Sequence, residues 1–105
     1  MDKSIQQELE LIKNSVLKTV PAEAIYLFGS YAYGIPNEES DMDIYVVVPD
    51  SELDLVDIRA DIRGALSNRT KPLDLLIGKS SVFQRRSQGP TLERVIARDG
   101  VRIYG

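Results

Sequence analysis

The stretch Leu27-Phe28-Gly29-Ser30, followed by ten residues and then Asp41-Met42-Asp43, confines this chain more than any other. It reads as an apolar strand end, a Gly-Ser turn, a polar loop, and two carboxylates at the head of a second apolar strand. Residues i and i+2 of a strand point to the same face, so Asp41 and Asp43 project side by side. Two like charges held that close raise each other's pKa unless a cation sits between them. Magnesium takes hard oxygen ligands, commonly one or two carboxylates together with substrate phosphates. The turn at Gly29 and Ser30 supplies backbone N–H groups and a hydroxyl suited to such phosphates.

Composition narrows the chemistry further. The 105 residues suit one compact domain spanning 1–105 and are too few for two. With no cysteine and no histidine, disulfides, thiolate chemistry, Cys-ligated zinc and the commonest general base are all excluded. Catalysis by this chain must therefore rest on carboxylates, hydroxyls, Lys, Arg and a bound ion. The net charge of −3 argues against a dedicated nucleic-acid binder, whose footprint is basic. No apolar run is long enough to span a membrane, and the N-terminus, with Asp2, Gln6, Gln7 and Glu8, lacks the features of a signal peptide. A soluble cytoplasmic protein is the expectation.

Periodicity divides the chain into alternating elements. Residues 4–19 read as a helix, with Ser4 and Gln7 as a capping box, Ile5, Leu9, Ile12 and Val16 as its core stripe, and Pro21 beyond its end. Ala24 to Phe28 has strand length. Ser30 to Gly34 suits a turn of helix, and Ile35 to Ser40 an exposed loop. Met42 to Val48 is the clearest strand, with Met42, Ile44, Val46 and Val48 on one face and Asp41, Asp43, Tyr45 and Val47 on the other. A second helix is expected from Leu53 to Leu66, capped by Ser51, with Asn68 to Pro72 as connector. Leu73 to Ile77 reads as a third strand and Ser80 to Arg86 as a short helix. Leu92 to Arg98 reads as a further helix, with Leu92, Val95 and Ile96 apolar and Gly100 as its C′ residue. Val101 to Tyr104 closes the chain as an edge strand. Interleaving of this kind favours an α+β (layered α/β) domain, a small sheet with helices packed on it. The short connection between the first two strands suggests an antiparallel or locally irregular pair rather than a full crossover.

Asp74 stands inside an otherwise apolar strand, where a lone charge is expensive to bury. Its position is explained if its face lines the same cleft as Asp41 and Asp43. Three carboxylates there suit phosphoryl-type chemistry. Two would hold an ion against phosphate oxygens, and the third would hold a second ion or take a proton from an attacking hydroxyl. Singly, each feature also has a plain structural reading: a tight turn for Gly29-Ser30, a solvated strand entry for Asp41 and Asp43, an edge charge for Asp74. Their joint occurrence argues against that reading.

The Gly29-Ser30 pair, the ten-residue gap, Asp41-x-Asp43 and the later strand aspartate together resemble the nucleotidyltransferase signature of the DNA polymerase beta superfamily. The small size is similar to that of its minimal nucleotidyltransferase (MNT) group, and the resemblance runs through the closing Asp99-Gly100-Val101-Arg102-Ile103-Tyr104. It implies a mixed sheet with helices on it and nucleoside triphosphate binding, ATP foremost, at Gly29 and Ser30. It implies magnesium at Asp41 and Asp43 with Asp74 completing the triad, and attack of an acceptor hydroxyl on the α-phosphorus with release of pyrophosphate. Members of the minimal group are often antitoxins paired with HEPN-domain toxins, and some modify a toxin tyrosine with AMP. Homo-oligomerisation is left open.

The chain departs from the family at Tyr33, where many members carry arginine. Arginine there would be a ready phosphate ligand, whereas tyrosine offers a hydroxyl or a stacking face without charge. Lys79, Arg85 and Arg86 are the candidate substitutes. The departure keeps a second reading open, a catalytically weak or inactive module that neutralises a partner protein by contact. Transfer to RNA or a small molecule is the weaker third reading. The chain has little beyond the core for an acceptor site and lacks the basic surface that RNA binding needs.

Overall fold

The computed structural model describes residues 3–36, 40–52, 54–67 and 72–105. Asp2, the loop positions Asn37, Glu38 and Glu39, Leu53 as a helix start, and the connector residues Asn68, Arg69, Thr70 and Lys71 lie outside the described residues.

The element order is α1 (Lys3–Thr19), β1 (Ala24–Phe28), α2 (Ser30–Tyr33), β2 (Met42–Val48), α3 (Leu55–Ala65), β3 (Leu73–Lys79), α4 (Ser80–Arg86), α5 (Leu92–Asp99) and β4 (Val101–Tyr104). The strands form a mixed four-stranded sheet in the order β3-β2-β1-β4. β1 runs antiparallel to β2 and β4, while β2 and β3 are parallel, joined through α3. The antiparallel pairing expected of the first two strands is therefore present, as is the edge position of the last.

The alternation along the strands sorts their side chains into two layers. Ile25, Leu27, Met42, Ile44, Val46, Val48 and Leu75 face α1 and α3, where they meet Leu9, Ile12, Val16, Ile62 and Leu66. Ala24, Tyr26, Phe28, Tyr45 and Val47 face the other way, against Phe83 of α4 and Ile96 of α5. Ile12 and Val16 are fully buried, each contributing about 1.5–3 kcal/mol by removal from water. Tyr45 and Phe83 tilt against each other at 5.1 Å between ring centroids, and Tyr26 stacks on Phe83 at 5.5 Å.

Several local expectations are corrected. Ser4 lies within the first turn of α1 rather than ahead of it. Asp54, not Ser51, caps α3: its carboxylate accepts the N–H of Asp57 at 3.1 Å. β3 continues past Ile77 because Gly78 and Lys79 pair with Val47 and Val48, so the neighbouring strand sets its length. Gly78 also makes room for the Tyr45 hydroxyl, which a Cβ there would strike. Gly100 ends α5 with φ −68°, in extended rather than left-handed backbone; it is pressed against the Ile96 carbonyl, which a Cβ would approach to 2.6 Å. On α5 the exposed apolar residue is Leu92, at 43%, and the buried one in that turn is Glu93.

Candidate active site

The candidate site residues lie at the end of the sheet where β1 stops and β2 and β3 begin. β1 delivers Phe28 opposite Asp43 and then turns sharply at Gly29, which adopts φ 74° and ψ −154°. This is backbone that only glycine enters readily. The turn is needed because Gly29 packs directly on Asp43: a Cβ at Gly29 would occupy the space of the Asp43 carboxylate. The Gly29 carbonyl then accepts the N–H groups of Ala32 and Tyr33 at 3.0 and 3.1 Å, starting α2 with Ser30 as its first residue. Tyr31 and Ala32 pack toward the α1/α3 core, leaving Tyr33 half-exposed.

Asp43 and Asp74 are direct neighbours across the β2–β3 pair. Residues opposite each other in a sheet share a face, so both carboxylates stand on the α4/α5 side, beyond Tyr45 and Leu76. Asp41 sits just before β2. Burial raises the Asp43 pKa above its ordinary value, and the charges of Asp74 and then Asp41 raise it further. The structure thus sets Asp43 beside Asp74 and against Gly29, with Asp41 near enough for its charge to act on Asp43. Among the described residues, the influences on Asp43 are its burial and the two neighbouring carboxylates.

The donor type, though not a preformed three-carboxylate cage among the described residues, is the one magnesium takes. It consists of hard carboxylate oxygens with no sulfur or imidazole available, and it concentrates negative charge that a divalent ion would offset. Among the described residues, no group of three acidic side chains is placed to hold a metal ion.

The candidate substitutes for a phosphate-binding arginine stand elsewhere. Lys79 is at the opposite end of β3 from Asp74. Arg86 is engaged with Glu93, its Nε 2.9 Å from Glu93 Oε2, and Arg85 is exposed on α4. The same Glu93 oxygen accepts the Tyr45 hydroxyl at 3.3 Å, and Glu93 Oε1 is buried without a hydrogen-bond partner. Burial, and then the Glu93 charge, push the Tyr45 hydroxyl up to about 12. Sequence reasoning missed this group. The one signal was spacing: Glu93 precedes Ile96 by three residues and so shares its helix face. Tyr45 is thus a core residue, with Glu93 and Phe83 as its neighbours.

The family model described as Polymerase beta, Nucleotidyltransferase matches residues 10–105. The fold is that of a nucleotidyltransferase domain. The chain belongs to the polymerase beta nucleotidyltransferase family. Among solved structures it is similar to a toxin–antitoxin structure with AMP-PNP, at 23% identity and TM-score 0.56, covering 91% of this chain and 72% of the other. It is also similar to a candidate nucleotidyltransferase from Sulfolobus solfataricus, at 20% identity and TM-score 0.58, covering 97% and 86%. These likenesses show the fold. No curated protein compared with the chain matches it in sequence. Among the described residues, no helix is long and apolar enough to cross a membrane.

Proposed function

We propose that the chain is a magnesium-dependent nucleotidyltransferase that moves a nucleoside monophosphate, AMP from ATP, to a hydroxyl on a partner protein. In this reading Gly29 and Ser30 bind the triphosphate tail, and Asp41 and Asp43 hold magnesium. Asp74 takes the proton of the incoming hydroxyl or completes the ion site. The bound ion supplies charge neutralisation at the phosphate oxygens. Ser30 contributes a hydroxyl, and the Gly29 backbone keeps the turn tight against Asp43. The acceptor oxygen bonds to the α-phosphorus as the bond to the β-phosphate oxygen breaks, and pyrophosphate leaves. The observation that carries the reading is the register of Asp43 beside Asp74, with Asp41 adding to the same negative field.

The partner in this reading is a HEPN-type toxin, and the modified hydroxyl a toxin tyrosine. Its support is the family together with likeness to a toxin–antitoxin structure. The test is incubation of the purified chain with α-labelled ATP, magnesium and the candidate toxin. Label should pass to the toxin with wild-type chain and not with Asp43→Asn.

A second reading is favoured by one observation, the half-exposed, uncharged Tyr33. Here the chain neutralises its partner by contact alone. Toxin neutralisation that survives Asp41→Asn combined with Asp43→Asn would select it over transfer.

A further inference from the structure

The outer edge of β3 has no strand beside it among the described residues. It is seven residues long, Leu73–Lys79, and its middle is apolar on both faces. An open edge of that kind presents unpaired N–H and C=O groups to another chain. Alongside it runs a groove of about 200 Å³ between β3 and α3, lined by Leu55, Val56, Arg59, Leu75, Leu76 and Ile77. That volume is below the range of small-molecule pockets and suits side chains of an added strand.

Beyond Asp74 at the start of β3, the charge flanking this edge is opposite to that of the chain as a whole. Helical spacing puts Val56, Arg59 and Arg63 on one flank of α3, while Asp54, Asp57 and Asp61 fall on another. Val56 is 78% exposed there, and Lys79 ends the strand. A basic flank on a chain of net charge −3 selects an acidic visitor. A second copy paired through β3 would set its own Arg59 and Arg63 against the first pair, so self-association is disfavoured.

We propose that the β3 edge docks an extended acidic segment of the partner protein. The residue of that segment facing Asp74 carries the acceptor hydroxyl. The second half rests on the transfer reading; the docking itself does not. A residue directly opposite Asp74 on an added strand would share its face and lie about 5 Å away. Docking would thus carry the hydroxyl to the carboxylates without any further acceptor pocket.

The test uses the full chain, labelled with nitrogen-15, and a seven-residue peptide that alternates valine with glutamate and carries one tyrosine. Without magnesium or nucleotide, saturable amide shifts should be confined to residues 73–79 and the Val56–Arg63 flank of α3, and amide exchange along β3 should slow. Arg59→Glu, at an exposed site, should weaken binding about tenfold, as should replacing the peptide's glutamates by lysine. Shifts centred on β4, equal binding of the lysine peptide, no saturable binding, or self-association through β3 would each overturn the docking. With magnesium and ATP added, the tyrosine should gain a nucleotidyl group. Its oxygen bonds to the α-phosphorus, its proton is released, and pyrophosphate departs. Binding without transfer would overturn the hydroxyl placement while leaving the docking in force. If the chain binds no magnesium nucleotide at all, the transfer reading fails on its own account, and the peptide titration still decides the docking.

Discussion

Gly29 and Asp43 form the tightest constraint in the molecule. The backbone at Gly29 lies where residues with a Cβ are strained, and the space a Cβ would need holds the Asp43 carboxylate. Gly29→Ala should therefore destabilise the chain by about 1–3 kcal/mol, read as a lower denaturant midpoint with an unchanged slope. Asp43 itself is held among like charges. Asp43→Asn should raise the melting temperature of the metal-free protein at neutral pH, as relief of that repulsion requires. A fall in melting temperature would mean the carboxylate is structurally engaged. At Glu93 the opposite holds, since a buried carboxylate depends on Arg86 and Tyr45. Arg86→Ala should cost about 1–3 kcal/mol, whereas Arg85→Ala, at an exposed position, should stay within about 0.5 kcal/mol. Equal effects in chemical denaturation would contradict the role assigned to Arg86.

At the scale of elements, α4 is tied down at both ends, to the turn after β2 and to α5. Its first turn is fixed by Asp50, whose carboxylate accepts the Ser81 N–H at 2.9 Å, and its last turn by the Arg86–Glu93 pair. The Ser81 N–H lowers the Asp50 pKa below its ordinary 3.8. A lowered carboxylate pKa contributes stability above the unfolded-state value and loses it as pH falls through the folded-state value. Asp50→Ala should therefore melt below wild type at pH 7, with the difference closing below pH 3.8. A gap independent of pH would reject the charge-assisted anchor.

Strand and helix existence was legible at this scale because periods of two and 3.6 residues are written into the apolar residues. Met42–Val48 and Ala24–Phe28 have the bounds read from their sequences, and the alternate faces of β2 are as expected. Helix starts were less legible: Ser51 and Asp54 are both good caps by composition, and only the backbone path decides between them. On α5, Leu92 outward and Glu93 inward reverse the simple expectation. The reversal requires the Tyr45 hydroxyl and Arg86, which arrive from other elements.

At the scale of the molecule, an alternation pattern says which way a side chain faces but not which strand lies beside it. The order β3-β2-β1-β4 and the parallel β2–β3 pair were therefore outside what the sequence could supply. So was the register that puts Asp74 directly beside Asp43. The motif spacing of Gly29, Ser30, Asp41 and Asp43 was legible because those residues flank one turn and one loop, and local chain geometry already confines them. The central claim is that these carboxylates and the glycine turn form one magnesium–nucleotide site. Isothermal titration of the purified chain with ATP, with and without magnesium, tests it most directly. Saturable binding should require magnesium, stabilise the fold by about 2.7 kcal/mol at a hundredfold excess over Kd, and vanish in Asp43→Asn. Wild-type chain that binds no nucleotide in magnesium, or Asp43→Asn that binds it equally well, would contradict the claim.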